Sequence, residues 1–171
     1  LEHLAWFFPG VQERGVDAYM GFYYAAVWQE RRLYPGIPEL LKQLKDNGYR
    51  TAILSDKRQI FGEPEFEHSE LGGSVDRALF FAESMLPKPD PAGLQDVMES
   101  LEVSPNECLF VGDSHRDIEC AKRAGAWSGA ALWASVEPEL VLALQPEFRW
   151  EKVDDVAVTL RLGGRLDDQP G

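Results

Sequence analysis

Four short apolar runs, residues 49–54 (YRTAIL), 78–82 (ALFFA), 108–111 (CLFV) and 127–133 (WSGAALW), are separated by stretches with helical periodicity. This alternation constrains the fold more than any other feature of the chain. Antiparallel strands can be joined by a two-residue turn, whereas parallel strands need a crossover long enough to hold a helix. Such crossovers are present. Ile37, Leu40, Leu41 and Leu44 recur at i, i+3, i+4 and i+7, with Pro38 suited to a first turn and Gly48 to the residue past the end. Leu94, Val97, Met98 and Leu101 repeat the spacing behind Asp90 as a cap and Pro91 as the first helical residue. Residues 118–124 read as a helix closed by Gly125, with Lys122 and Arg123 favourable in its last turn. Residues 138–144 and 153–160 also read as helices, and residues 58–76, with Gly62, Pro64, Gly72 and Gly73, as irregular. The expected fold class is α/β, a Rossmann-like parallel sheet with helices on both faces.

Residues 1–33 differ in character. Nine of the nineteen aromatic residues fall before Pro35, and Val16, Tyr19, Met20, Tyr23 and Val27 recur at helical spacing. That predicts a helix over 17–32, whose aromatic stripe suits either helix packing or a lid that closes over a substrate. The expected organisation is therefore an appended helical piece at 1–33, an α/β core at 34–162 and a tail at 163–171.

Charge narrows the classes of partner. The net charge is -12 and the pI about 4.6. Nucleic-acid binders carry a basic stripe, and none is visible here. The longest mostly apolar run, residues 18–28, is too short to span a bilayer. Neither a signal peptide nor a metal or redox spacing around Cys108 and Cys120 is visible, so both thiols read as reduced and the location as cytoplasmic. The expected state is a monomer or homodimer, with no nucleic-acid or membrane partner.

Parallel α/β sheets bind ligands beyond the carboxyl ends of their strands. Ser55 directly follows residues 49–54, and Asp113 follows CLFVG. Asp113 and Asp117 lie four residues apart, a layout that suits a hard cation such as Mg²⁺, held directly and through water. The same residues fit a capping box, with Ser114 as the cap and Asp117 at the third helical position. The two arrangements are compatible. The Ser55 hydroxyl and the backbone N–H groups that follow it, from Asp56 on, can donate to a phosphate oxygen, or Ser55 can cap a helix. Lys88 lies in PKPDP, where flanking prolines stiffen the segment and aim the side chain at an anion; otherwise it is an exposed loop lysine. Lys57 and Arg58 add positive charge nearby, and His115 reads as a surface residue.

Taken in order, a strand-end serine, a KPDP segment that opens a helix and GDSHRDIECAKRAG resemble the haloacid dehalogenase superfamily of hydrolases, near its phosphoglycolate phosphatase-like branch. The resemblance covers residues 34–134 and begins with YPGIPELLKQLKDNGYRTAILSDK. It implies a phosphatase that acts on a small phosphorylated metabolite, a phosphate monoester, through an aspartyl-phosphate. Ser55, Asp56 and Lys88 would bind the phosphate, and Asp113 and Asp117 would hold Mg²⁺. The catalytic set would be Ser55, Lys88 and Asp113, and residues 1–33 would be part of a helical cap.

One element of the resemblance is missing. The family's first strand ends in Asp-x-Asp, which supplies the nucleophile and the acid/base, and this sequence contains no Asp-x-Asp. That strand would lie between residues 108–111 and 49–54, so its removal leaves two unpaired strand edges. The expectation is that the nucleophile lies upstream of Leu1. The alternatives are a catalytically inactive relative that binds a phosphorylated ligand or partner, a phosphosugar mutase, and a metal-independent dehalogenase, against which the two motif aspartates speak.

Overall fold

The computed structural model describes residues 33–162. The helix expected over 17–32, the proposed cap and the tail at 163–171 lie outside them. The elements run α1 (Ile37–Asp46), β1 (Ala52–Arg58), α2 (Gln59–Glu67), β2 (Arg77–Phe81), α3 (Ala92–Ser100), a 3₁₀ turn (Pro105–Glu107), β3 (Leu109–Gly112), α4 (His115–Ala124), β4 (Trp127–Ala131), α5 (Pro138–Ala143), β5 (Phe148–Trp150) and α6 (Val153–Thr159). All strand pairs are parallel, as the alternating pattern requires.

The strands form two sheets rather than one. β1 pairs with β2, and β3, β4 and β5 form a second sheet in that order. β1 and β3, whose free edges were expected on either side of an absent strand, share no ladder among the described residues. Polar and apolar contacts connect the two sheets instead. Leu94 and Met98 of α3 join Cys120, Ala124 and Ala126 in one buried cluster, and both Leu54 of β1 and Phe110 of β3 pack against it. A second cluster, Ile118, Ala130 and Val141, seats α4 and α5 on one face of the three-stranded sheet. The other face carries Gly129 and Trp150, and α6 meets it where Trp150 Nε1 donates to Thr159 Oγ1 at 2.8 Å.

Three sequence expectations change. β1 begins at Ala52 rather than 49, because the backbone of Thr51 is tied to the loop before β2: its N–H donates to Asp76 Oδ2 at 2.7 Å and its carbonyl accepts from Asp76 N at 2.8 Å. β1 also runs on to Arg58 rather than ending at residue 54, so Ser55 lies inside it, paired in register with Phe80, and the regular register is lost only beyond it. The stretch expected to be irregular contains α2, with Pro64 inside the helix. Gly62 there marks a close approach rather than a break, since a Cβ would sit 2.2 Å from the Phe80 ring. β5 gave no sequence signal: it is three residues long and interrupted by Arg149.

Candidate active site at the strand carboxyl ends

β3 ends at Gly112, Asp113 follows, and Ser114 caps α4. The predicted capping box forms. Asp117 Oδ2 accepts from Ser114 N at 3.0 Å and from Ser114 Oγ at 2.7 Å. This explains the glycine before Asp113: a Cβ on Gly112 would lie 2.2 Å from Asp117 Cβ, so the turn closes only if residue 112 has no side chain.

The second oxygen of Asp117 faces a different segment. Asp117 Oδ1 accepts from Lys88 Nζ at 2.6 Å, and the two side chains are only 5% and 14% exposed. Burial opposes the charged carboxylate. The Lys88 ammonium and the two Ser114 donors outweigh it, holding the Asp117 pKa below the ordinary aspartate range. Lys88 Nζ also lies 5.6 Å from the centroid of the Phe110 ring on β3, within cation–π range. Lys88 is thus a largely buried cation at the head of the sheet, not an exposed loop lysine.

The Lys88 backbone is held as well, and the Lys88–Pro89 peptide is cis. Lys88 N donates to Asp56 Oδ1 at 3.0 Å, and Arg116 Nε donates to the Lys88 carbonyl at 2.6 Å, with Arg116 Nη2 donating to the same oxygen. Arg116 Nη2 also pairs with Asp56 Oδ2 at 3.0 Å. The Asp56 carboxylate is therefore engaged with Lys88 and Arg116, whereas the group the sequence offers to a phosphate is its backbone N–H. Ser55 Oγ accepts from Lys57 N at 3.2 Å, which leaves the hydroxyl hydrogen available for donation. It caps no helix, because α2 starts behind Arg58. Lys57 pairs with Glu65, and Arg58 with Glu83 at 3.0 Å.

Asp113 is exposed, and among the described residues its carboxylate has no hydrogen bond or ion pair. No group of three His, Cys, Asp or Glu side chains among the described residues could hold a metal. A free carboxylate at a strand end, with Asp117 one turn on, is nevertheless a fit for Mg²⁺, which keeps several of its waters. Asp113 would be the direct ligand, since both Asp117 oxygens already accept hydrogen bonds.

Sequence reasoning missed two residues. Arg116 could not be told from surface charge, because its partners lie 28 residues away in KPDP and further off in β1. Glu137 lies just before α5, and its Oε1 accepts from His115 N at 3.1 Å and meets His115 Nδ1 at 2.5 Å. His115 is thus half-buried and ties the start of α4 to the start of α5, rather than lying free on the surface.

A family model for haloacid dehalogenase-like hydrolases matches residues 7–131, well over half of the chain. The chain belongs to this family. Among curated relatives, pyrophosphatase PpaX of Bacillus cereus strain G9842 is 30% identical over 123 residues, covering 72% of this chain and 57% of the relative. A phosphoglycolate phosphatase of Pseudomonas syringae pv. tomato is 38% identical over 114 residues, covering 66% of this chain and 41% of the relative. The chain therefore spans about half the length of the curated relatives it matches. Among solved structures, a predicted phosphoglycolate phosphatase from Haemophilus somnus 129PT aligns with a TM-score of 0.75 at 24% identity, over 89% of this chain and 68% of that one. A subfamily IA family hydrolase from Geobacter sulfurreducens aligns with a TM-score of 0.72 at 24% identity, over 93% and 71%. These two likenesses establish the fold, with its parallel strands and helices on both sides.

Proposed function

We propose that this chain is the phosphate- and metal-handling part of an Mg²⁺-dependent phosphatase that hydrolyses a small organic phosphate monoester in the cytoplasm. The observation that carries the reading is the convergence at Lys88. A buried ammonium from KPDP meets Asp117 of the GDSHRD turn, four residues after an Asp113 that has no partner among the described residues, next to the strand that holds Ser55. Lys88 would neutralise phosphate charge, and the Ser55 hydroxyl would donate to a phosphoryl oxygen. Asp113, with Asp117 behind it, would hold Mg²⁺, which supplies charge stabilisation to the transferring group.

The nucleophile belongs to the proposal too. The reaction runs through an aspartyl-phosphate, and the chain holds no Asp-x-Asp. Among the described residues neither β1 nor β3 has a strand on its other edge, which supports a further strand, outside this sequence, that carries it. The two-sheet arrangement does not by itself favour a catalytically inert binder, whose function would not call for a cation site.

Turnover of p-nitrophenyl phosphate with and without Mg²⁺, in the protein carrying the Asp-x-Asp strand, tests the reading. The expected result is Mg²⁺-dependent release of nitrophenol that Asp113→Asn abolishes. Absence of turnover under both conditions would replace it with a binding role, and full activity in Asp113→Asn would remove the metal assignment.

A further inference from the structure

Asp56 and Arg116 form a closed arrangement with the backbone of Lys88. The Lys88 N–H donates to Asp56 Oδ1 at 3.0 Å, the Lys88 carbonyl accepts from Arg116 Nε at 2.6 Å, and Arg116 Nη2 meets Asp56 Oδ2 at 3.0 Å. Both hydrogen-bonding groups of one residue's main chain are thus held by an ion pair of opposite charges. The three participants come from β1, the segment before α3, and α4. β1 belongs to the two-stranded sheet, whereas α4 packs on the three-stranded one, so the ring closes between the two sheets.

We infer that the Asp56–Arg116 pair is a positioning device for Lys88. A lysine head hangs on four rotatable bonds, and fixing it costs up to about 2 kcal/mol of rotamer entropy. Asp117 restrains the head, but a contact at the tip does not fix where the chain starts. The ring does so by holding the Lys88 peptide groups on both sides. An exposed ion pair would contribute little by itself. Asp56 and Arg116 are only 30% and 41% exposed, and their contacts with Lys88 are charge-assisted hydrogen bonds to main-chain groups. What the pair contributes is geometric: Asp56 supplies the acceptor and Arg116 the planar fork. The use of a positioned Lys88 on phosphate rests on the function proposed above; the ring itself rests on the contacts.

Amine acetylation of the full chain, read peptide by peptide by mass spectrometry, tests the inference. Exposed Lys42 serves as the rate reference. Lys122, whose Nζ donates to the carbonyl of Gln145 at 2.9 Å, reports general loosening. In Asp56→Ala and in Arg116→Ala, the Lys88 rate relative to Lys42 rises about fivefold or more, as the loss of a net hydrogen bond would give, while the Lys122 ratio stays put. The exchanged variant Asp56→Arg/Arg116→Asp restores an ion pair but offers the Lys88 N–H no acceptor, so Lys88 stays fast. Full protection of Lys88 in the exchanged variant, an unchanged Lys88 in the alanine variants, or a parallel rise at Lys122 would each overturn the inference. Added inorganic phosphate separates the two proposals. If it fails to slow Lys88 acetylation in the unmodified chain, Lys88 loses its role as a phosphate group, while the ring stands on the variant rates.

Discussion

The two sheets share a construction and differ in what covers them. Every buried apolar residue among the described residues lies at Leu94 or beyond: Ile118, Cys120, Ala121, Ala130 and Val141 are wholly enclosed. Before Ala92, the only buried residues described are Thr51 and Gly62. β1 and β2 carry apolar runs too, AIL and ALFF, although Ser55–Arg58 and Arg77 are polar. The difference lies in neighbours. The three-stranded sheet has α4 on one face and α6 on the other; the two-stranded sheet, marginal alone, has α2 and α3 against it but, among the described residues, no strand on the other edge of β1. Apolar composition makes a strand; burial depends on what lies beside it. The first half is also held by polar ties, the ring around Lys88 and the knot of Thr51 with Ser74 and Asp76 among them.

The contrast can be broken by mutation. The largest expected effect is Ile118→Ala, which empties a fully enclosed position in the second half and should cost about 2–5 kcal/mol. Ile53→Ala, at a half-exposed position of β1, should cost less than half as much. Chemical denaturation midpoints of the two variants check this, and equal losses would end the distinction between the halves. Next comes Lys88→Met. It leaves the Asp117 carboxylate buried with Ser114 alone, and a broken buried pair costs roughly 3–5 kcal/mol before the stem's packing is credited. The matching change at Lys42, whose partner Asp46 is 60% exposed, should cost less than about 0.5 kcal/mol. A Lys88→Met variant as stable as Lys42→Met would mean that the ties to the first half carry no weight.

The most gradual effect is a pH dependence in the second half. Burial pushes the Cys120 thiol up to about 11. The unfolded thiol loses its proton near pH 8.5, so above that pH the native state binds more protons than the unfolded one. Stability should therefore fall as pH rises from about 8.5 to about 11, by at most about 1.4 kcal/mol per unit. Thermal melts of the chain and of Cys120→Ala across this range check the sign: the slope should flatten in the variant, and an unchanged slope would assign it elsewhere.

Much of the second half was legible in the sequence, and the reason is local. Helix ends at Pro138 and Gly125 and the Ser114–Asp117 capping box depend on residues a few positions apart. The motif aspartates were found because they follow a strand, and Lys88 because two prolines frame it. What was not legible depends on distant partners. The start of β1 is set by Asp76, and Ser55 falls inside the strand because pairing with β2 carries it on to Arg58. Arg116 gave no local signal, because Lys88 and Asp56 are close to it only after folding. Asp56 was read for its backbone N–H after Ser55; the engagement of its carboxylate by Lys88 and Arg116 depends on residues far along the chain and left no local signal.

The short contact between Lys88 and Asp117 has a consequence for selectivity. On the function proposed above, the lysine would meet an incoming phosphate with one of its three N–H donors already committed to a carboxylate. The phosphate would share the ammonium with Asp117, so its gain would be that of a second anion on one cation. A doubly charged phosphate would profit from that shared cation more than a singly charged carboxylate or sulfonate. The charge of the ligand, more than its shape, would then decide what this corner of the molecule retains.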